Sequence, residues 1–187
     1  MRIVAGAFKG RSLAAPKSLA IRPTSDRLRE TIFNVLAHGY DDAVDGARVL
    51  DLFAGTGAMG LEALSRGAAF ALFVDQSAEA RGLIRANVDA LGLGGVTRLF
   101  RRDAVRLGAA APLPPFSLVF CDPPYGKGLA EQAFASALAG GWLRPDALLV
   151  VEEAEGAGFS WPDGFTELER RDYGETTVAF GRVGAPG

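Results

Sequence analysis

The chain has 187 residues with 49% hydrophobic and 22% charged side chains and a formal net charge of −2, which suits one α/β domain with a small appendage. A single cysteine, Cys121, excludes an internal disulfide framework and fits a reducing cytoplasm; a single histidine, His38, argues against His-based metal sites and Ser-His-Asp chemistry. No apolar run reaches membrane-spanning length and Met1-Arg2-Ile3-Val4 lacks the layout of a secretion signal, so a cytoplasmic protein without a membrane partner or a bound metal is expected.

Charge is unevenly placed. Residues 1–30 hold seven basic side chains against Asp26 and Glu30, a balance of +5, which leaves −7 for the remainder. A basic opening points to a polyanion such as nucleic acid, or simply to a solvated surface. Within it, Arg2–Ala5 and Arg11–Ala15 read as two short extended segments separated by Gly6 and Gly10, a small hairpin occupying an extension over 1–20. Pro16 and Pro23 bracket an irregular connector. Thr24 or Ser25 then caps a helix running to about Ala37, with Leu28, Ile32, Phe33, Val35 and Leu36 on its apolar face and Gly39 as its stop. Arg27 and Arg29 either pair with Glu30 and Asp26 or face RNA.

From Ala47 the pattern alternates. Apolar runs at 47–52, 70–75, 96–100, 116–121 and 147–151 are separated by helical periodicity near 58–66, 77–91 and 128–139. Alternation of this kind implies a mostly parallel, doubly wound sheet with helices on both faces. Stretches 165–171 and 175–183 add two late strands and an antiparallel finish. The main domain is therefore expected over 21–183, with a frayed tail at 184–187. The cluster Arg98, Arg101, Arg102 and Arg106 reads as a solvated face, and Glu152 and Glu153 as solvated charges at a strand end.

Gly55-Thr56-Gly57-Ala58-Met59-Gly60 places a G-x-G-x-x-G pattern at a strand-to-helix turn, where bare backbone can approach a ligand. NAD, FAD and S-adenosylmethionine sites share that pattern, and the acids discriminate among them. Asp51, Asp75, Asp103 and Asp122 fall at the carboxyl ends of four successive strands, 24, 28 and 19 residues apart. Those ends line one crevice in an open α/β sheet. Asp75 suits two ribose hydroxyls. Asp51, immediately before the glycine turn, would repel a pyrophosphate and welcome a sulfonium and an α-amino group. Asp103 is either an acceptor for an adenine amino group or a helix cap.

The second motif is Asp122-Pro123-Pro124-Tyr125, closing the apolar run 116–121. An exocyclic amine on a base is a poor nucleophile because its lone pair is delocalised into the ring. The Asp122 side chain and the Pro123 carbonyl can accept from its two hydrogens and hold the nitrogen in a more pyramidal state. Consecutive prolines fix those acceptors in advance. Tyr125 offers a flat face for stacking, worth about 1–3 kcal/mol per base. Cys121 lies within the buried run and reads as an inert core thiol.

These strings resemble the class I S-adenosylmethionine-dependent methyltransferases, and more narrowly the bacterial family that methylates guanine N2 in 16S ribosomal RNA. The narrower likeness rests on Arg2-Ile3-Val4-Ala5-Gly6, Gly10-Arg11-Ser12-Leu13, the stretch from Arg22 to Asn34, and Asp51 to Gly67. The resemblance implies S-adenosyl-L-methionine as methyl donor and one guanine of the small ribosomal subunit, or of its assembly intermediate, as substrate, with a monomeric enzyme. It assigns Gly55, Gly57 and Asp75 to the donor pocket, where Asp51, Phe53 and Asp103 are expected beside them. Asp122, Pro123 and Tyr125 become the catalytic clamp, with Pro124 and Tyr125 against the base and Lys9, Arg11 and Arg22 on RNA phosphates. The clamp is shared with adenine-N6 enzymes, so a DNA or RNA adenine-N6 methyltransferase stands as the alternative. An NAD-dependent oxidoreductase is a further one, disfavoured by Asp51, and a non-catalytic RNA binder gains little from rigid acceptors.

Overall fold

Strands whose residues are apolar on both faces must be covered on both faces, and the chain achieves this by winding outward twice from one central strand. The computed structural model describes residues 1–184. In chain order it contains α1 (Asp26–Gly39), β1 (Arg48–Leu52), α2 (Ala58–Ser65), β2 (Phe70–Val74), α3 (Ala78–Leu91), β3 (Thr97–Phe100), β4 (Phe116–Cys121), α4 (Leu129–Ala139), β5 (Leu143–Ala154), β6 (Phe165–Tyr173) and β7 (Thr176–Val183). The sheet order is β3-β2-β1-β4-β5-β7-β6. The first five strands are parallel, while β7 runs antiparallel to both β5 and β6. The architecture is a Rossmann-like, doubly wound α/β sheet.

Alternate residues of each strand feed two separate cores. Val49, Phe73, Leu118, Phe120 and Val150 face one side, where α1, α2 and α3 contribute Ile32, Phe33, Leu36, Leu61, Ile84 and Val88. Leu50, Leu72, Val119, Cys121 and Val151 face the other, closed by Ala130, Ala133 and Phe134 of α4 and by Trp142. Cys121 is thus a core residue, and burial pushes its thiol up.

The N-terminal segment packs on the first side through buried Ile3 and Leu13. Its expected hairpin narrows to a single antiparallel bridge, Arg2 with Ser12. The reason lies in Glu62 of α2, whose carboxylate takes the amides of Val4 (2.9 Å) and Ala5 (3.1 Å) that a longer ladder would have used. The same carboxylate binds Arg29 at 3.1 Å and Arg66 at 2.9 Å. Arg29 and Glu62 are fully buried, and Arg29 also pairs with Asp26 at 2.8 Å. Of the two readings for Arg29, ion pairing is therefore the one realised, with Glu62 as the main partner. Ser25 caps α1 by accepting from the Leu28 amide at 3.1 Å. Gly184 still donates to the Gly164 carbonyl at 2.8 Å; the rest of the tail expectation, 185–187, lies outside the described residues.

Candidate active site

The strand order reverses between β1 and β4, because the chain builds β2 and β3 on one side of β1 and then crosses to start β4 on the other. Ligands of doubly wound sheets bind at the carboxyl ends of the strands beside such a reversal. Asp51 is the penultimate residue of β1 and Asp122 follows β4, and Leu52 pairs with Cys121 in the shared register. A cavity of about 880 Å³ opens there, lined by both acids together with Phe53, Gly55, Asp75, Asp103, Pro123, Pro124 and Tyr125.

On the glycine side the backbone turns sharply. Phe53 carries φ 55°, a left-handed conformation unusual for a bulky side chain and typical of strained functional turns. Gly57 (φ 80°) begins α2, but it is not part of the cavity wall. A Cβ there would sit 3.3 Å from the Phe73 ring and 3.2 Å from Ile84, so Gly57 also serves helix–sheet packing, between the cavity-lining Thr56 and Ala58. Gly60 is more restrictive. A Cβ would lie 2.5 Å from Phe73, and its amide donates to Asp51 Oδ2 at 3.1 Å. Buried Asn87 of α3 secures the loop from behind by donating to the Thr56 carbonyl at 3.0 Å, while accepting from the Ala14 amide at 2.7 Å.

Three acids on the glycine side have distinct surroundings. Asp51 is 3% exposed, and burial pushes its carboxyl well above the usual range; Gly60 opposes this shift, while Asp75 and Glu152 add to it. Among the described residues Asp51 forms no ion pair. Asp75 accepts from the Gly55 amide at 2.9 Å and the Ser77 amide at 2.8 Å, which orients both oxygens on the cavity wall. Asp103 accepts from the Val105 amide at 3.1 Å, so it caps the short turn 104–106 and lines the cavity as well. The two readings of Asp103 coexist in one side chain. Arg102 lines the cavity too, with its guanidinium over the Phe100 and Trp142 rings, while it stays exposed like Arg98, Arg101 and Arg106, the solvated face expected for this cluster.

On the opposite wall the Asp122–Tyr125 loop is held from two directions. The Gly126 amide donates to Glu153 at 3.2 Å, and the Tyr125 hydroxyl lies 3.5 Å from Thr176 at the start of β7. Glu153 is only 4% exposed, as is Glu152, so the solvated strand-end reading fails for both. Pairing of β5 with β7 extends through Ala154 and carries the two glutamates into the interior. Glu152 lines the cavity beside Asp122, and the two carboxyls hydrogen-bond to each other. Burial, then the neighbouring Glu152 and Asp51, hold the Asp122 carboxyl well above the usual range. Burial also raises Glu152, against the opposing effect of the Thr24 hydroxyl, which donates to it at 2.9 Å.

Sequence reasoning missed the third wall. The connector between Pro16 and Ser25 crosses the mouth of the cavity, where Leu19, Ala20, Ile21, Arg22 and Thr24 line it. Ser18 anchors one end on Glu79 of α3 at 2.5 Å and Thr24 anchors the other on Glu152. No periodicity betrays such a strap; the two bracketing prolines are its only trace. Arg22, expected on phosphates, stands over the Tyr125 ring at 5.1 Å and thus occupies one face of the expected stacking platform. Lys9 and Arg11 are exposed and away from the cavity, with Arg11 donating to the Ala90 carbonyl at 2.7 Å.

The model of a family described as Conserved hypothetical protein 95 matches residues 1–182. The chain belongs to this family. Among its relatives is Ribosomal RNA small subunit methyltransferase D of Escherichia coli (strain K12), 40% identical over 152 residues that cover 81% of this chain and 74% of that protein. Putative rRNA methyltransferase YlbH of Bacillus subtilis (strain 168) is 36% identical over 183 residues, covering 96% and 97% of the two chains. In three dimensions the chain is similar to the putative methyltransferase yhhF from Escherichia coli, with a TM-score of 0.84, 32% identity and coverage of 100% and 99%. The family's fold is thus a methyltransferase fold, and both motif loops of this chain lie within the matched span.

Proposed function

We propose that the protein transfers a methyl group from S-adenosyl-L-methionine to N2 of a guanine in 16S ribosomal RNA of the small subunit or its assembly intermediate. One observation carries the reading: the glycine loop after β1 and the Asp122–Tyr125 loop after β4 line the same cavity. The names of the relatives supply the RNA class, because the Escherichia coli protein is a small-subunit rRNA methyltransferase.

The residues present fit the donor. The volume is within the range of cofactor sites, and Asp51 is a buried carboxyl with no cationic partner among the described residues, suited to the donor's positive charge. Asp75 would hold the ribose, Asp103 would meet the adenine amine, and Phe53 and Gly55 would form the adjoining wall. When bound, the donor supplies an electrophilic methyl carbon. Asp122 and the Pro123 carbonyl would hold the target amine by its hydrogens, and Pro124 and Tyr125 would fix the ring plane. Stacking on Tyr125 requires either the ring face opposite Arg22 or an outward swing of that guanidinium. With both partners oriented, positioning supplies most of the rate. The exposed Lys9 and Arg11 would bind phosphates outside the cavity, so the N-terminal segment of 1–20 acts as an RNA-facing extension of the 21–183 enzyme domain. The protein would act as a cytoplasmic monomer.

The direct test incubates the protein with small-subunit particles from cells lacking it and with isotope-labelled donor, followed by nucleoside mass spectrometry. Label is expected in N2-methylguanosine at one position. Label confined to N6-methyladenosine would overturn the base assignment.

A further inference from the structure

The clamp alone does not choose a base. Asp122 and the Pro123 carbonyl take the two hydrogens of an amine, and adenine N6 offers those as readily as guanine N2. Discrimination needs a group at the neighbouring ring position, N1, which carries a hydrogen in guanine and a bare lone pair in adenine. A base held out of its helix is read along this edge.

Glu152 stands where such a group is required. β4 and β5 are parallel neighbours, and Cys121 pairs with Val151, so the next residues, Asp122 and Glu152, leave the sheet side by side and on the same face. Both line the cavity, with Pro123 and Tyr125. Their carboxyls lie within hydrogen-bonding distance of each other, and the Thr24 hydroxyl reaches both, at 2.9 Å to Glu152 Oε2 and 3.5 Å to Asp122 Oδ2. Two acceptors at that spacing match two adjacent N–H donors on one edge of a planar ring.

A carboxyl pair in contact shares a proton, and the surroundings decide which member keeps it. Thr24 donates to Glu152, and the positive charge of buried Arg29 on α1 favours its ionised form. Burial, then Glu152 and Asp51, press Asp122 toward its protonated form against the opposing charge of Arg22. The closer Thr24 hydroxyl, 2.9 Å from Glu152 against 3.5 Å from Asp122, favours the shared proton on Asp122. Asp122 gives its hydroxyl to Glu152 and keeps its other oxygen for the amine.

Building on the guanine-N2 reading, we propose that Glu152 is the specificity-determining residue, accepting the N1–H of guanine while Asp122 and Pro123 hold N2. An adenine in the same pose would set its N1 lone pair against a Glu152 oxygen and could be accommodated only by drawing the shared proton out of its place between Asp122 and Glu152.

The test uses small-subunit particles reconstituted with 2-aminopurine in place of the guanine that the wild-type protein methylates. This base keeps the 2-amino group and loses the N1 hydrogen. Wild-type kcat/KM should fall by roughly 10- to 100-fold on it, in line with the loss of a paired hydrogen bond at a base edge. In Glu152→Gln the amide can accept from N1–H or donate to N1, so the ratio between the two substrates should shrink to about threefold or less. Donor binding by calorimetry reports whether that variant is folded. If it is not, the wild-type ratio decides alone, and equal use of guanine and 2-aminopurine overturns the proposal. A folded Glu152→Gln that discriminates as wild type does so equally. Absence of any N2-methylguanosine with wild-type protein would instead remove the underlying functional reading.

Discussion

In the proposed mechanism Asp122 combines two demands that pull against each other. An amine clamp needs an acceptor, yet enclosure beside Glu152 and Asp51 favours a neutral carboxyl. Replacing Asp122 with Ala should lower methyl transfer by about 100-fold or more, the scale seen when one oriented polar group is removed from a reacting centre. Donor affinity, measured by calorimetry, should stay within a few-fold, because Asp122 is on the wall opposite the glycine loop. A parallel collapse of donor binding would mean that the residue is structural.

The same enclosure has a consequence for stability. Asp51, Asp122 and Glu152 all have carboxyls raised above their unfolded values. Their contribution is complete below an unfolded value of about 4 and is lost as pH rises through the raised folded values. The melting temperature of the ligand-free protein should therefore fall as pH rises above about 4, and that of Asp122→Asn should fall less steeply. Identical slopes for the two proteins in calorimetry would refute this assignment. Asp51, Asp75 and Asp122 were legible in the sequence because each ends an apolar run. Glu152 was not, since a charged pair after such a run reads as its exposed terminus; only the pairing with β7 brings it inside.

Among the elements, α2 bears the heaviest constraints. Its glycine lets Phe73 pack against its backbone, and its Glu62 gathers two amides and two guanidiniums. Gly60→Ala should cost about 1–3 kcal/mol in urea unfolding through overpacking against Phe73. Glu62→Gln should cost about 3–5 kcal/mol, because Arg29 would be left buried with a weakened partner. A variant of normal stability at either position would show that the helix relaxes freely. Element identity was readable from periodicity, as for β4, whose apolar run and observed span coincide at 116–121. β5 was read as 147–151 and extends over Leu143–Ala154, since Arg144, Pro145 and Asp146 mask its start and the two glutamates its end. The strap escaped because it is held by Ser18 and Thr24 side chains, which carry no repeating signal.

At the scale of the whole molecule, charge and chemistry are separated. The cavity is rich in acids, while the basic opening places Lys9 and Arg11 outside it. RNA binding should depend on salt, and neutralising Lys9 or Arg11 should weaken it for all sequences and reduce the salt slope by about 1 for each phosphate no longer neutralised. Filter binding across a salt series would detect this; an unchanged slope in the double variant would move the RNA footprint elsewhere. The reversed course of β7 matters in a different way. A sheet that stayed parallel to its edge would bring only strand ends to the ligand rim, but here β7 begins there and lends Thr176 to Tyr125. The tight bend at Gly174 and Glu175 thereby adjoins Thr176 on the proposed base-binding side. Lengthening that bend would change which folded RNAs can approach, while the methyl-donor compartment kept its shape, so substrate range and donor use can be altered independently in this scaffold.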